Sequence, residues 1–269
     1  MINKENSEDI AGKGYWDDTW KTSEIPQIIN PQDKSISNVI ECTLNIFFHK
    51  IFDKYLPETK DIQFIEVGCG NSAFLPYMNK EFGFHVAGLD YSEIGCEMTR
   101  KAMAYYNVNA EIYLCDLFNP ADNLRKKYDI VFAAGVIEHF TDTHKPCEAM
   151  LELAKSGGYV INIIPNFSPG SVMGKLQKKY APDIYEKHVP LDRTDLIKAH
   201  EEVGLETLYC NYLLAYNYGV LNFGGKYEWI QKFYIRMGKL KMLFTKNKIV
   251  GTQKNAPYIV YIGRLHENN

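Results

Sequence analysis

The residues Phe64-Ile65-Glu66-Val67-Gly68-Cys69-Gly70-Asn71-Ser72-Ala73 constrain this chain more than any other stretch. They read as an apolar strand that runs into a glycine turn and then into a helix. Further along, a second short apolar run, Ala87-Gly88-Leu89, ends in Asp90. This is the sequence form of a nucleoside-binding crevice in an α/β sheet. Gly68 and Gly70 have no Cβ, so the backbone can turn tightly and lie close to a ligand. Asp90 stands where a carboxylate can accept hydrogen bonds from both ribose hydroxyls.

The glycines leave two adenosine cofactors open, because Gly68-x-Gly70-x-x-Ala73 also satisfies the loose dinucleotide pattern. Glu66 discriminates between them. A carboxylate at the mouth of the loop repels a pyrophosphate and suits a ligand that carries an ammonium group. A pyrophosphate also calls for cationic help at the helix N-terminus, and no Lys or Arg lies between Glu66 and Leu75. S-adenosylmethionine (SAM) carries both an ammonium and a sulfonium. The elements that follow fit it. Glu111 to Leu117 reads as a third strand ending in an acid, and Tyr128 to Ala134 as a fourth. Lys155-Ser156-Gly157-Gly158 leads into a fifth, Tyr159 to Ile164.

The pieces Glu66-x-Gly68-x-Gly70, Asp90-Tyr91-Ser92, Cys115-Asp116-Leu117, Gly135-Val136-Ile137-Glu138-His139-Phe140 and Ser156-Gly157-Gly158 fall in one order across residues 66–158. In this the chain resembles the class I SAM-dependent methyltransferases. The Val-Ile-Glu-His stretch is most similar to the branch that includes quinone-biosynthesis and other small-molecule enzymes. Ser72 stands where many members have a third glycine.

The resemblance implies an α/β, Rossmann-like seven-stranded sheet of order 3-2-1-4-5-7-6, with strand 7 antiparallel and helices on both faces. It implies one SAM-binding domain over 1–269, with cap elements from 1–33, 166–190 and 217–256. The implied activity is methyl transfer from SAM to an oxygen or nitrogen of a small-molecule acceptor. The implied contacts follow. The loop backbone at Gly68, Cys69 and Gly70 borders the methionine part of SAM, and Glu66 holds its ammonium. Asp90 takes the ribose hydroxyls, and Tyr91 stacks on adenine. Asp116 and the Leu117 backbone read the adenine edge, and Ala134 offers backbone near the methionine moiety. The run from Tyr15 to Trp20 resembles an aromatic lead-in that closes over SAM, where a ring such as Tyr15 or Trp20 can face the sulfonium. The same run could simply staple the N-terminal segment to the body. Two other readings stay open: an NAD-dependent oxidoreductase, and a non-catalytic SAM-fold partner subunit.

His139 is the leading candidate for a base. It follows the fourth strand at the carboxyl edge, and its ordinary pKa near 6.5 suits proton uptake. It could instead cap a helix or bond backbone. His188 is a candidate for the acceptor pocket, His144 reads as surface, and Glu138 as a residue that faces solvent or braces its loop. No His/Cys spacing indicates a metal.

Composition removes other classes. A net charge of −3 argues against nucleic-acid binding. No stretch is long and apolar enough to span a membrane, and the polar N-terminus does not read as a signal peptide. The six cysteines form no Cys-x-x-Cys pair, which fits reduced thiols and a cytoplasmic location.

Spacing predicts helices over 34–55, ended by Pro57, and over 91–107. A third spans 146–155 with Gly157-Gly158 as its stop, and a fourth 192–203 with Asp192 as cap and Gly204 as stop. Residues 171–190 read as a polar insertion, and 205–215 and 257–263 as the last two strands. The long segment between those strands carries a helix over 227–244. Its apolar residues at 229, 230, 233, 237, 240 and 244 alternate with basic ones, and Gly238 weakens it. A lid over the site, a homodimer contact and a peripheral membrane contact all fit that pattern.

Overall fold

The computed structural model describes residues 8–33, 35, 37–56, 61–245 and 249–266. Seven strands form one sheet: β1 (Gln63–Val67), β2 (His85–Asp90), β3 (Ala110–Leu114), β4 (Tyr128–Ala134), β5 (Ala154–Pro165), β6 (Leu205–Leu213) and β7 (Tyr258–Leu265). Their order is β3-β2-β1-β4-β5-β7-β6. Strands β1 to β5 pair in parallel, and β7 inserts antiparallel between β5 and β6. The helices are α1 (Lys13–Lys21), α2 (Val39–Tyr55), α3 (Phe74–Phe82), α4 (Glu93–Tyr105), α5 (His144–Leu153), α6 (Val172–Tyr180), α7 (Pro182–Tyr185), α8 (Arg193–Glu201) and α9 (Glu228–Phe244).

A parallel sheet covered on both faces needs strands that are apolar on both sides. Phe64, Ile65 and Val67 of β1 and Ile130 to Ala133 of β4 are all buried. One core joins the sheet to α2, α3 and α4 through Phe47, Phe48, Leu75, Met78 and Ala102. The other joins it to α5 and α8 through Cys147, Met150, Leu153, Leu196 and Ala199. Strand order reverses between β2-β1 and β4, so the carboxyl ends of these strands open a crevice where an α/β sheet binds ligands.

Several element bounds differ from the sequence reading. Helix α2 starts at Val39 rather than near 34, because Asp33 accepts from the Ser35 amide and the Asn38 side chain, each at 2.7 Å. Such local side-chain bonds compete with helix. Lys34, Ile36 and Pro57 lie outside the described residues. Helix α5 stops at Leu153 without a glycine. The amides of Lys126 and Lys127 reach back to the carbonyls of Glu152 and Leu153, at 2.8 and 3.1 Å, and cap it instead. Gly157 and Gly158 therefore lie inside β5, where the β4–β5 register shifts between Tyr128 and Ile130. The polar insertion at 171–190 folds as α6 and α7. Helix α8 has the expected Asp192 cap, completed into a capping box by Asp195, and Gly204 follows it with φ of 98°.

Candidate functional site

Strand ends bring the crevice residues together. Glu66 is the next-to-last residue of β1, Asp90 closes β2 and Ala134 closes β4. Gly68 turns the chain out of β1 with φ of 68°, and a Cβ there would sit 2.6 Å from Val136 Cγ2. Only glycine fits that turn. The loop is held by its neighbour strand: the Gly68 and Cys69 amides donate to the Leu89 carbonyl at 2.8 and 3.1 Å.

Glu66 is buried and accepts from the Ser72 hydroxyl. Burial pushes its carboxyl up to about 8, against the lowering effect of that hydroxyl. Asp90 is buried too, and each of its oxygens accepts a backbone amide, Gly70 at 2.8 Å and Ser92 at 2.7 Å. Burial raises its pKa, and these amides oppose the rise.

The N-terminal segment closes over this crevice. Tyr91 donates to Asp9 Oδ2 at 2.7 Å and Ser92 to Asp17 Oδ1 at 2.6 Å. On the other side, the Ile10 amide donates to the His139 carbonyl at 2.9 Å. Helix α1 thereby lies across the carboxyl edge. The Trp20 indole fills the space that a side chain at Gly70 would need. Trp16 stacks on Trp20 and meets the His139 ring edge-on, with centroids 5.7 and 5.1 Å apart. The lead-in is pinned to the body by these bonds and lies over the glycine loop.

A cavity of about 1180 Å³ runs from the glycine loop into the space beyond β4 and β5. Tyr15, Trp20, Glu66, Gly68, Gly70, Asp90, Tyr91, Asp116, Leu117, Ala134, His139 and His188 all line it. Cys69 is not among the lining residues, although its backbone forms part of the glycine loop. Its thiol packs inward against Gly88, and its carbonyl accepts from Thr99 Oγ1 at 2.7 Å. Asp116 lines the rim as an exposed, turn-forming acid that accepts from the Phe118 amide at 3.0 Å. His144 is at the surface, paired with Glu202 at 2.8 Å.

Beyond the glycine loop the wall turns polar at one place. His139 Nδ1 donates to the Lys187 carbonyl at 2.6 Å, and His188 Nδ1 to the Ile184 carbonyl at 2.9 Å. Each ring spends one nitrogen on backbone and keeps a lone pair on Nε2. Burial holds His139 down to about 3, with His188 adding to the effect, and burial lowers His188 as well. Both are neutral at physiological pH. Glu138 is 1% exposed, and neither carboxylate oxygen has a hydrogen-bond partner. It does not face solvent; the nearby Glu138 and Val136 amides of its own loop lower its pKa, against the burial that pushes it up to about 8. Its carboxyl stands 3.9 Å from His139 Nε2. One ligating atom from each of Glu138, His139 and His188 lies within 4.8 Å of the others. Two imidazoles and a carboxylate are a donor set able to hold a divalent cation, although no motif spacing announced it.

The sequence reading missed Trp16, Phe167, Gln177, Ile184, Val220, Asn222 and Tyr258, which complete the wall. Trp16 belonged to the aromatic run already noted. The rest come from α6, α7, β7 and their connections, which carry no motif. Helix α9 itself contributes no residue to the wall.

The sheet order, the acid-tipped second strand and the glycine loop beneath a buried carboxylate define a class I SAM-dependent methyltransferase. More narrowly, the chain belongs to the family described as "Methyltransferase domain", whose match spans residues 44–209. That membership sets aside the dinucleotide-dependent oxidoreductase. A curated relative, the ubiquinone biosynthesis O-methyltransferase of Erwinia tasmaniensis, is 29% identical over 96 residues, 36% of this chain. The matched part spans 39% of that relative's length. Among solved structures, one assigned as a sarcosine dimethylglycine methyltransferase of Galdieria sulphuraria superposes with a TM-score of 0.64 at 11% identity. It covers 97% of this chain and 99% of that one. The geranyl diphosphate C-methyltransferase of Streptomyces coelicolor superposes with a TM-score of 0.59 at 12% identity, over 94% of this chain and 96% of that one. The two solved structures share the fold of this chain, and the names printed for these relatives include an O-methyltransferase and a C-methyltransferase.

Proposed function

We propose that this chain moves the methyl group of SAM to an oxygen or nitrogen of a small-molecule acceptor. One observation carries the reading. A single cavity joins the Glu66–Gly70–Asp90 crevice to the wall where His139 and His188 present free Nε2 lone pairs. SAM would lie with its ammonium toward Glu66 and its ribose toward Asp90. Tyr91 and Leu117 would flank the adenine, with Asp116 at its edge, and Tyr15 and Trp20 would cover the donor.

The sulfonium is already a good leaving group, so the protein's main task is alignment. Positioning of this kind supplies about 7–11 kcal/mol of barrier reduction. A hydroxyl or ammonium acceptor must also lose a proton. Burial holds His139 at about 3, a far weaker base than the ordinary imidazole the sequence reading assumed. Its Nε2 therefore takes the proton only as the new bond to the methyl forms and the acceptor's acidity rises, and His188 orients the acceptor beside it. The described residues of the segments 1–33, 166–190 and 217–256 act as caps on one domain and exclude water from the donor; residues 1–7 and 246–248 lie outside the described residues. All six cysteines are unpaired and four are buried, which supports a cytoplasmic setting. Among the described residues no helix is long and apolar enough to cross a membrane.

The direct test is calorimetry with SAM, S-adenosylhomocysteine and NAD, followed by a panel of phenolic, amine and sugar acceptors. SAM and S-adenosylhomocysteine bind, NAD does not, and Asp90→Ala abolishes both interactions. Absence of binding to either adenosyl ligand overturns the reading.

A further inference from the structure

Helix α9 turns its apolar face away from the protein. Trp229, Phe233, Met237, Leu240 and Phe244 are 71, 57, 49, 47 and 81% exposed. Steps of three and four residues put them on one stripe along the helix. They are five of the nine large apolar side chains exposed among the described residues. An amphipathic helix of a soluble domain points such a stripe at the core; this one does the reverse.

The inner face is separately secured, so the stripe is not a packing error of the helix as a whole. Met242 is fully buried. Ile230 and Tyr234 pack on the cluster of Phe167, Met173, Leu221 and Phe223. Gly238 sits against the Tyr216 carbonyl and the Tyr218 ring, where any Cβ would collide. The glycine that weakens the helix is the residue that lets it dock this close. Lys239 bonds the Ser37 carbonyl and ties α9 to the segment before α2.

Charge decides what the stripe meets. Lys232 and Arg236 border it on one side and Lys241, whose Nζ lies 3.9 Å from the centroid of the Tyr216 ring, on the other, all exposed. The helix carries four basic residues and one acid, Glu228, which is paired with Lys232 at 2.7 Å. The chain as a whole has a net charge of −3, so this face is opposite in sign to the rest. In an antiparallel pair of two copies, stripe on stripe, basic rows would meet basic rows. An anionic lipid surface accepts both features together. Trp and Phe enter the headgroup–acyl boundary, and Lys and Arg reach the phosphates along their aliphatic stems.

We infer that the outer face of α9 is a reversible docking surface for anionic lipid bilayers. The connection that enters α9 carries Val220 and Asn222, which line the cavity, so docking sets the acceptor side of the cavity next to the lipid. The proposal does not depend on which cofactor or acceptor is used.

The test is sedimentation of the full chain with vesicles of phosphatidylcholine alone and with 30 mol% phosphatidylglycerol. Partitioning at least tenfold stronger onto the anionic vesicles is expected, falling as salt is raised. Phe233→Ser with Phe244→Ser should lower it by at least tenfold, while S-adenosylhomocysteine binding and circular dichroism stay unchanged. Lys232→Glu with Arg236→Glu should remove the preference for anionic lipid. The proposal is overturned by absence of sedimentation with either vesicle, or by equal sedimentation with both. A Phe233/Phe244 variant that binds like the parent also overturns it. So does a dimer in light scattering that those substitutions dissolve without any vesicle binding by the parent.

Discussion

The Ser72 hydroxyl donates to Glu66 Oε2 and accepts from the amides of Phe74 and Leu75, each at 3.0 Å. One side chain thus ties the buried acid of β1 to the unsatisfied N-terminal amides of α3. Ser72 departs from the glycine common in related loops, and the hydroxyl explains what the departure supplies. Ser72→Ala should cost about 1–3 kcal/mol of stability, the usual penalty for leaving buried polar groups unpaired. Chemical denaturation at constant slope reads it; an unchanged midpoint would show that water replaces the hydroxyl.

Glu66 makes stability depend on pH with a defined sign. Its folded pKa of about 8 lies above the ordinary 4.5, so the native state holds the proton more tightly. The stabilisation is fully present below pH 4.5 and is lost as pH rises through 8. The ligand-free Glu66→Gln variant should match the parent near pH 4 and exceed it near pH 9, by an amount on the order of a few kcal/mol. Parallel stability curves for the two proteins would contradict this.

The same shift has a signature in binding. An ammonium beside Glu66 favours the carboxylate, so SAM binding at pH 7 should release a proton from the parent. Calorimetry in two buffers of different ionisation heat measures it. Glu66→Gln should show no release and weaker binding.

Trp20 closes the crevice from α1, a helix with no fully buried residue. Trp20→Ala should therefore weaken S-adenosylhomocysteine about tenfold, ~1.4 kcal/mol, and leave the unfolding midpoint nearly unchanged. A large drop in stability with intact affinity would make the ring a staple only.

His139→Gln should lower kcat by about 10²–10⁴ with S-adenosylhomocysteine affinity unchanged, because the change lies on the acceptor side. Activity of the parent should survive dialysis against a chelator, since the proposed step uses the imidazole lone pair. Loss on chelation, restored by one divalent ion, would reassign Glu138, His139 and His188 as ligands.

The crevice at the carboxyl ends of β1, β2 and β4 was legible in the residues. Gly68, Glu66 and Asp90 sit at strand ends that local apolar runs define, and parallel strands with short loops leave few ways to arrange them. The α8 cap at Asp192 was equally plain, because a capping box is local chemistry. The stop of α5 was not, because its carbonyls are satisfied by Lys126 and Lys127 from a distant loop. Glu138 shows the same limit. Nothing beside it in the chain says that it is buried without a partner, 3.9 Å from an imidazole. Helix α9 shows it most clearly. Periodicity fixed the helix and its apolar stripe, but which face meets the protein was decided by Tyr216, Tyr218 and the gap left by Gly238. Sequence determines what each segment can form, since propensity, capping and strand pattern act over a few residues. Tertiary structure decides what each side chain faces, since burial and desolvation depend on segments far apart in the chain.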